Sequence, residues 1–288
     1  MKSAVSFSLL LLAVTTSALA ATKAATKPVP KPFTVVEASI SDMQAALRDG
    51  RVTSHGLVQQ YLLRIATYED KLHAAVTVNP NALKEADERD RERAAGKIRG
   101  PLHGIPIALK DNIQTTDLLT TGGAMAFANL VPPYDATLTK NLREAGAIIM
   151  AKTQLTELAN WVAGNPPMPT NYNALNGYGF NPYDPRRDPR TETGDGRPAM
   201  ATGGSSSGTG TTASFWAANV GSETSGSILS PANQNMLAAI KPTVGRISRY
   251  GIIPITADQD TAGPMAKFVT DAAILFGVLR PLTGDRKT

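Results

Sequence analysis

Two serine- and glycine-rich stretches lie close together in the chain, Gly203-Gly204-Ser205-Ser206-Ser207-Gly208-Thr209-Gly210 and Gly221-Ser222-Glu223-Thr224-Ser225-Gly226-Ser227. Serine hydroxyls can act as nucleophile, proton relay or hydrogen-bond donor. Glycines let backbone N–H groups approach a ligand and take dihedral angles that other residues resist. Such a run also has the composition of a flexible linker. The surroundings favour chemistry. Between the stretches, Thr211 to Val220 is mostly small or apolar and reads as a short buried helix running into a strand. After them come Ile228-Leu229-Ser230-Pro231 and Leu237-Ala238-Ala239-Ile240. A linker borders polar sequence, so these serines belong inside a domain, where loop, buried element and loop can bring two of them together.

A second candidate lies upstream. Ile105 to Leu109 is a short apolar run ending in Lys110-Asp111-Asn112, which predicts a strand that delivers a lysine from the core to a strand end. Two readings stand side by side. The amine can snorkel to solvent along its aliphatic stem. Alternatively, burial beside another cation lowers its pKa and leaves a neutral amine able to take a proton. The chain has no cysteine, which excludes disulfides, thiol catalysis and thiolate metal sites, and its three histidines, His55, His73 and His103, are scattered without metal-ligand spacing. The expected mechanism uses neither metal, cofactor nor histidine.

The two loops do not stand alone. Downstream lie Lys241-Pro242-Thr243-Val244-Gly245-Arg246-Ile247-Ser248-Arg249-Tyr250-Gly251-Ile252-Ile253-Pro254 and Gln259-Asp260-Thr261-Ala262-Gly263-Pro264-Met265-Ala266. Upstream lie Gly100-Pro101-Leu102-His103-Gly104-Ile105-Pro106 and Ala108-Leu109-Lys110-Asp111-Asn112. In this order the motifs resemble the amidase signature family of serine hydrolases, and they are far more specific together than any one Gly-rich loop.

The resemblance implies an α/β fold with a mixed central β-sheet covered by helices on both faces. It makes Ser227 the acylating nucleophile, Ser205 a bridging serine preceded by a cis peptide after Gly204, and Lys110 the general base. Backbone N–H groups of Thr224, Ser225, Gly226 and Ser227 are the implied oxyanion hole, with Ser206 supporting the Ser205 loop. The implied reaction is hydrolysis of a carboxamide through an acyl-enzyme, the substrate being a peptide C-terminal amide or a small aliphatic or aryl amide. Two departures accompany it. The interval from Ser205 to Ser227 is two residues shorter than the family pattern, the difference falling between Gly210 and Gly221. The chain also ends at Thr288, where family members continue through more of the sheet, so an incomplete domain with an open strand edge is expected. A complementing chain or oligomer would cover such an edge. Other readings are a non-catalytic remnant or binding subunit, and an amidotransferase glutaminase subunit.

The remaining sequence supplies the frame. Met1-Lys2, the apolar run Ala4 to Val14 and Ser17-Ala18-Leu19-Ala20 form a signal peptide with cleavage expected after Ala20, giving an exported protein with no stable membrane insertion. Residues 21–33 read as a disordered tether, 34–70 as N-terminal helices and 71–288 as the catalytic core of one domain. The net charge of +5 comes from interspersed residues without a basic stripe, so no nucleic-acid partner is expected.

Ser41 with Gln44 suggests a capping box for a helix running to Leu47, and Ser54 suggests the cap of the next, with Leu57, Val58, Tyr61, Leu62 and Ile65 on its apolar face. Ala74 to Val78 reads as a strand and Asn81 to Ala95 as a helix with a charged, solvated face. Asp135 to Ala145 reads as a helix, Ala147 to Ala151 as a strand, Gln154 to Asn160 as a helix again and Val269 to Leu279 as another. Gly146 to Thr153 lacks the glycine of a phosphate-binding loop before Lys152, so nucleotide binding is rejected. The Pro- and Gly-rich stretch 164–200 is expected to be an ordered excursion beside the substrate mouth, anchored by Trp161, Tyr172, Tyr178, Phe180 and Tyr183.

Overall fold

A computed structural model describes residues 32–161, 171–185 and 208–280. Its centre is a six-stranded sheet built from β1 (Ala75–Val78), β2 (Pro106–Lys110), β3 (Ile148–Thr153), β6 (Ala218–Glu223), β7 (Ala238–Ala239) and β8 (Thr261–Ala266), in the order β1-β3-β2-β6-β8-β7. The strands β3, β2 and β6 run parallel, and β1, β8 and β7 join antiparallel at the two sides. The sheet is therefore mixed. Every residue of β2, β3, β6 and β8 is buried. Strands covered on both faces need continuous apolar runs, as Ile148-Ile149-Met150-Ala151 provides. Among the described residues the outer strands are β1 and the two-residue β7.

The helices are α1 (Ile40–Arg48), α2 (Ser54–Leu72), α3 (Ala82–Ala94), α4 (Thr137–Glu144), the single turn α5 (Thr209–Thr212), α6 (Leu229–Gln234) and α7 (Val269–Leu279). The apolar face expected for α2 is the one that packs, with Leu57, Val58, Tyr61 and Ile65 buried and Leu62 partly so. Two caps differ from expectation. The box of α1 is Ser39 with Asp42, because the Ser39 hydroxyl reaches the Asp42 N–H and the Asp42 carboxylate reaches back to the Ser39 N–H. Gln44 instead donates to the carbonyls of Pro101 and His103. Thr53, not Ser54, caps α2, whose first N–H groups are also held by the Asp90 carboxylate.

The charged face of α3 is thus only partly solvated. Asp90 serves α2, Arg93 donates to the His103 carbonyl, and Glu85 accepts from Asn79. The helix expected over 154–160 is a 3₁₀ turn at Glu157–Asn160, since Leu158, Ala159 and Asn160 all take left-handed backbone angles.

Residues 1–31, 162–170, 186–207 and 281–288 lie outside the described residues, and with them the expected signal peptide and most of the tether. Phe33, inside the stretch expected to be tether, already packs against the core under Arg51. Of the 164–200 excursion, residues 171–185 form a two-strand hairpin, β4 (Tyr172–Asn173) with β5 (Gly177–Tyr178). The Tyr172 and Tyr178 rings meet at 4.8 Å, and Phe180 packs edge-on against His73. Two of the expected anchors do not anchor, since Trp161 and Tyr183 are exposed.

The sheet carries two buried lysines, and strand alternation separates them. Successive side chains of a strand point to opposite faces. Lys152 pairs in register with Leu109, so it shares a face with Asp111 two residues on. There its amine contacts the Asp111 carboxylate at 3.4 Å and donates to Thr120 Oγ1 at 2.7 Å. Lys110 and Asn112 project to the other side. Removing one partner of a buried ion pair leaves an uncompensated charge and costs about 3–5 kcal/mol. Asp111→Asn is accordingly expected to lower unfolding free energy by about 3 kcal/mol in urea titration, a loss that the double substitution Asp111→Asn with Lys152→Met largely recovers.

Candidate active site

Parallel pairing of β2 with β6 brings the C-terminal ends of both strands side by side, with Leu109 opposite Val220. Lys110 is the next residue of β2, and Ser222 lies two residues beyond Val220 in β6. The Lys110 side chain is 1 % exposed, and its Nζ donates to the Ser222 carbonyl at 3.1 Å and contacts Ser222 Oγ at 2.8 Å. Asn112 Nδ2 donates to the same Oγ at 2.9 Å. The snorkelling reading of Lys110 fails, because the amine ends inside the protein.

Burial drives the Lys110 pKa down to about 7, against the weaker, opposing pull of the Asp260 and Glu223 carboxylates. The cause is desolvation of the ammonium. The neighbouring cation expected from the sequence is not what lowers it, since the charges that act on it are negative.

The loop after β6 is held from both ends by carboxylates. Glu223, buried at the end of the strand, accepts from the N–H groups of Ile228 at 2.7 Å and Leu229 at 2.9 Å, which folds the loop back on itself and starts α6. Gly226 takes a φ of +93° at the bend. Thr224 Oγ1 donates to the Asp260 carboxylate, whose other oxygen accepts from the N–H groups of Ile255 at 2.7 Å and Thr256 at 3.0 Å.

Lys110, Thr224 and Ser227 line one cavity of about 340 Å³, together with Asn112, Ser222 and Asp260. Ser225 and Gly226 lie between Thr224 and Ser227 in the same loop. Gly204, Ser205 and Ser206 lie outside the described residues.

The cavity wall is largely apolar and includes Tyr250, Ile252, Ile253, Pro254 and Ile255. Backbone bonds strap it to the segment after β2, Gln114 N–H to the Gly251 carbonyl and Ile253 N–H to the Asn112 carbonyl, both at 2.9 Å. A side chain at Gly251 would meet the Ala136 backbone at 2.5 Å, so glycine is required there. Sequence reasoning missed Asn112, Ser222 and Asp260 as parts of the site. All three fall inside the quoted motifs, but only the pairing of β2 with β6 brings the end of β6, and Ser222 with it, beside the lysine.

The amidase family profile matches residues 56–283. The chain belongs to the amidase family. It is 40% identical over 252 residues to a probable amidase of Arabidopsis thaliana, covering 86% of this chain and 46% of that one. It is 38% identical to a glutamyl-tRNA(Gln) amidotransferase subunit from Syntrophus aciditrophicus, covering 84% and 46%. Among solved structures, the peptide amidase of Stenotrophomonas maltophilia superposes with a TM-score of 0.77 at 40% identity, covering 88% of this chain and 50% of that one. The chain spans about half the length of the curated relatives it matches. The mixed sheet with its helices is the fold of these amidase structures.

A buried lysine with a depressed pKa has a signature in stability. Its unfolded pKa of 10.5 exceeds the folded value of about 7, so the unfolded chain binds more protons between those values and stability rises with pH across that window. The penalty is complete below about pH 7 and gone above about 10.5. Lys110→Met is therefore expected to stabilise the fold by a few kcal/mol near neutral pH, and the gain should shrink as the pH approaches 10 in parallel denaturant titrations. A gain independent of pH would contradict the buried-amine account.

Proposed function

We propose that this amidase-family chain hydrolyses a carboxamide through a serine acyl-enzyme, with Lys110 as base, Ser205 as relay and Ser227 as nucleophile. The single observation that carries the reading is a buried amine of pKa about 7 lining the same cavity as Ser227. At neutral pH a large share of such an amine is unprotonated and can act as a base.

In this mechanism neutral Lys110 takes the Ser205 proton while Ser205 takes the Ser227 proton. Ser227 Oγ forms its bond to the amide carbonyl carbon as the carbonyl π pair moves onto oxygen. Backbone N–H groups of the 224–227 loop receive that negative charge, at a gain of about 3 kcal/mol per well-placed donor. Collapse of the adduct breaks the C–N bond. The relay runs backward to protonate the departing amine, and water entering by the same route hydrolyses the acyl-enzyme.

The apolar wall suits an acyl portion with a hydrophobic side chain, and the likeness to a peptide amidase supports a peptide C-terminal amide as the first substrate class to try. Export by way of residues 1–20 and a complementing chain or second copy belong to the same proposal. The likeness to glutamyl-tRNA(Gln) amidotransferase subunits favours a second reading, in which the same site releases ammonia from glutamine for a partner. No metal or other cofactor takes part.

The test is ammonia release from a panel of amidated peptides and glutamine. Activity on peptide amides should rise with pH through about 7, and Lys110→Ala should lower kcat by about 10²–10⁴-fold, with Ser227→Ala at least as severe. Turnover that survives Lys110→Ala would overturn the relay, and a folded chain inert toward every amide would favour a non-catalytic binding role.

A further inference from the structure

Among the described residues three charged side chains line the cavity, Lys110, Arg249 and Asp260, and the relay of Lys110, Ser205 and Ser227 uses only one of them. Asp260 spends its carboxylate inside the protein, on the Thr224 hydroxyl and on the Ile255 and Thr256 N–H groups. Arg249 has no task yet. Its place is set from two sides. Ile247 and Ser248 are buried just before it, and its own carbonyl accepts the Ile252 N–H at 3.0 Å, so its backbone is seated on the core. At the other end Nη1 donates to the Ala257 carbonyl. Ala257 lines the same cavity and lies in a turn closed by the Asp260 N–H on the Thr256 carbonyl at 3.1 Å. Because the Asp260 side chain also holds Thr224, the guanidinium and the loop that carries Ser227 are tied to one turn.

An arginine side chain carries five N–H donors in a planar fork, and the bond to Ala257 uses one of them. Among the described residues Arg249 pairs with no carboxylate, although Asp258 and Asp260 stand close to Ala257 in sequence. Other arginines of the chain do pair, Arg89 and Arg99 with Glu92 and Arg143 with Asp117. The rest of the wall is apolar at Ile252, Ile253, Pro254 and Ile255. A guanidinium without a carboxylate at the end of an apolar wall suits a ligand that joins an apolar stem to an anionic group. The fork donates two parallel bonds to a carboxylate, a geometry that a neutral alkyl group cannot answer.

We propose that Arg249 is a specificity-determining residue which selects amides whose acyl portion carries a carboxylate, the class of dicarboxylic acid monoamides. This rests on the reading of the cavity as an amide-hydrolysing site. The scissile carboxamide sits at Ser227, the apolar stem follows the 252–255 wall and the carboxylate meets the Arg249 fork. An acidic side chain on a peptide amide presents the same group. The contact of Arg249 with Ala257 is exposed, so the attraction acts at the rim of the cavity and is screened by salt.

The test measures ammonia release from straight-chain dicarboxylic acid monoamides of increasing length, each beside the alkyl amide in which an isopropyl group replaces the carboxylate. At the best length the carboxylate member is expected to show a kcat/KM about tenfold or more above its neutral partner, chiefly through KM, and the advantage should shrink as salt is added. Arg249→Gln should lower the ratio of the two kcat/KM values about tenfold, and Arg249→Lys, which keeps the charge without the fork, by less. A purely structural role would move both substrates together and leave the ratio alone. Calorimetric titration of Ser227→Ala with the same monoamides, with and without Arg249→Gln, reads binding without turnover. Hydrolysis of neutral amides with no carboxylate advantage at any length overturns the proposal and leaves the hydrolase reading standing. Carboxylate-dependent binding that Arg249→Gln abolishes, in a chain that hydrolyses no amide, upholds the role of Arg249 and rejects the hydrolase reading. Neither binding nor turnover overturns both. If Arg249→Gln does not fold, a ratio indifferent to salt and unchanged in Arg249→Lys overturns the proposal, and a ratio that falls in both upholds it.

Discussion

An ammonium ion cannot be taken into a protein core without cost, and the arrangement around Lys110 depends on that constraint. Sheet strands covered on both faces exclude water from the end of β2, so the amine can keep its proton only against a desolvation penalty. The core that stabilises the fold thus also sets the acid–base character of the site. Lys152 shows the alternative. It lies one strand away, is equally buried, and has a carboxylate in contact, yet burial still lowers its pKa to about 8.

The loop opposite Lys110 follows the same logic with the opposite charge. Glu223 is buried and Asp260 half-buried, and in each one oxygen accepts from two backbone N–H groups, while the other oxygen of Asp260 takes the Thr224 hydroxyl. Those bonds fix the turn that carries Ser227, and the pull of both carboxylates on the lysine proton stays weaker than the desolvation that opposes it. A fixed 224–227 turn and a buried lysine of lowered pKa therefore meet at one cavity.

Much of this was legible in the sequence where patterns are local. The β2 strand could be read from Ile105 to Leu109, α7 from its apolar run, and α2 from the spacing of Leu57, Tyr61 and Ile65, because burial repeats at the period of the element. The motif order also identified the family, and two residues of those motifs, Lys110 and Ser227, line one cavity. What could not be read were facts of register and competition. Ser39 outcompetes Ser41 as a cap because Asp42 answers it. Leu158 to Asn160 leave the helical region although their residue types permit a helix. Ser222 and Asn112 became part of the site only once β2 and β6 were paired in parallel, a long-range choice that no single stretch encodes. Burial lowers the lysine pKa as expected, but the expected neighbouring cation is not what acts on it, since the charges near it are negative and come from β6 and from the loop before β8.

The most direct measurement is the rate at which a fluorophosphonate labels the chain, followed by intact mass and peptide mapping from below to above pH 7. A fluorophosphonate reports an activated serine without requiring a guessed substrate. A single adduct on Ser227, forming at a rate that climbs with pH through a midpoint near 7, is the predicted result. A folded sample that takes no adduct, or that labels Ser227 at a rate indifferent to pH across the neutral range, would contradict the claim that a buried neutral lysine drives this site.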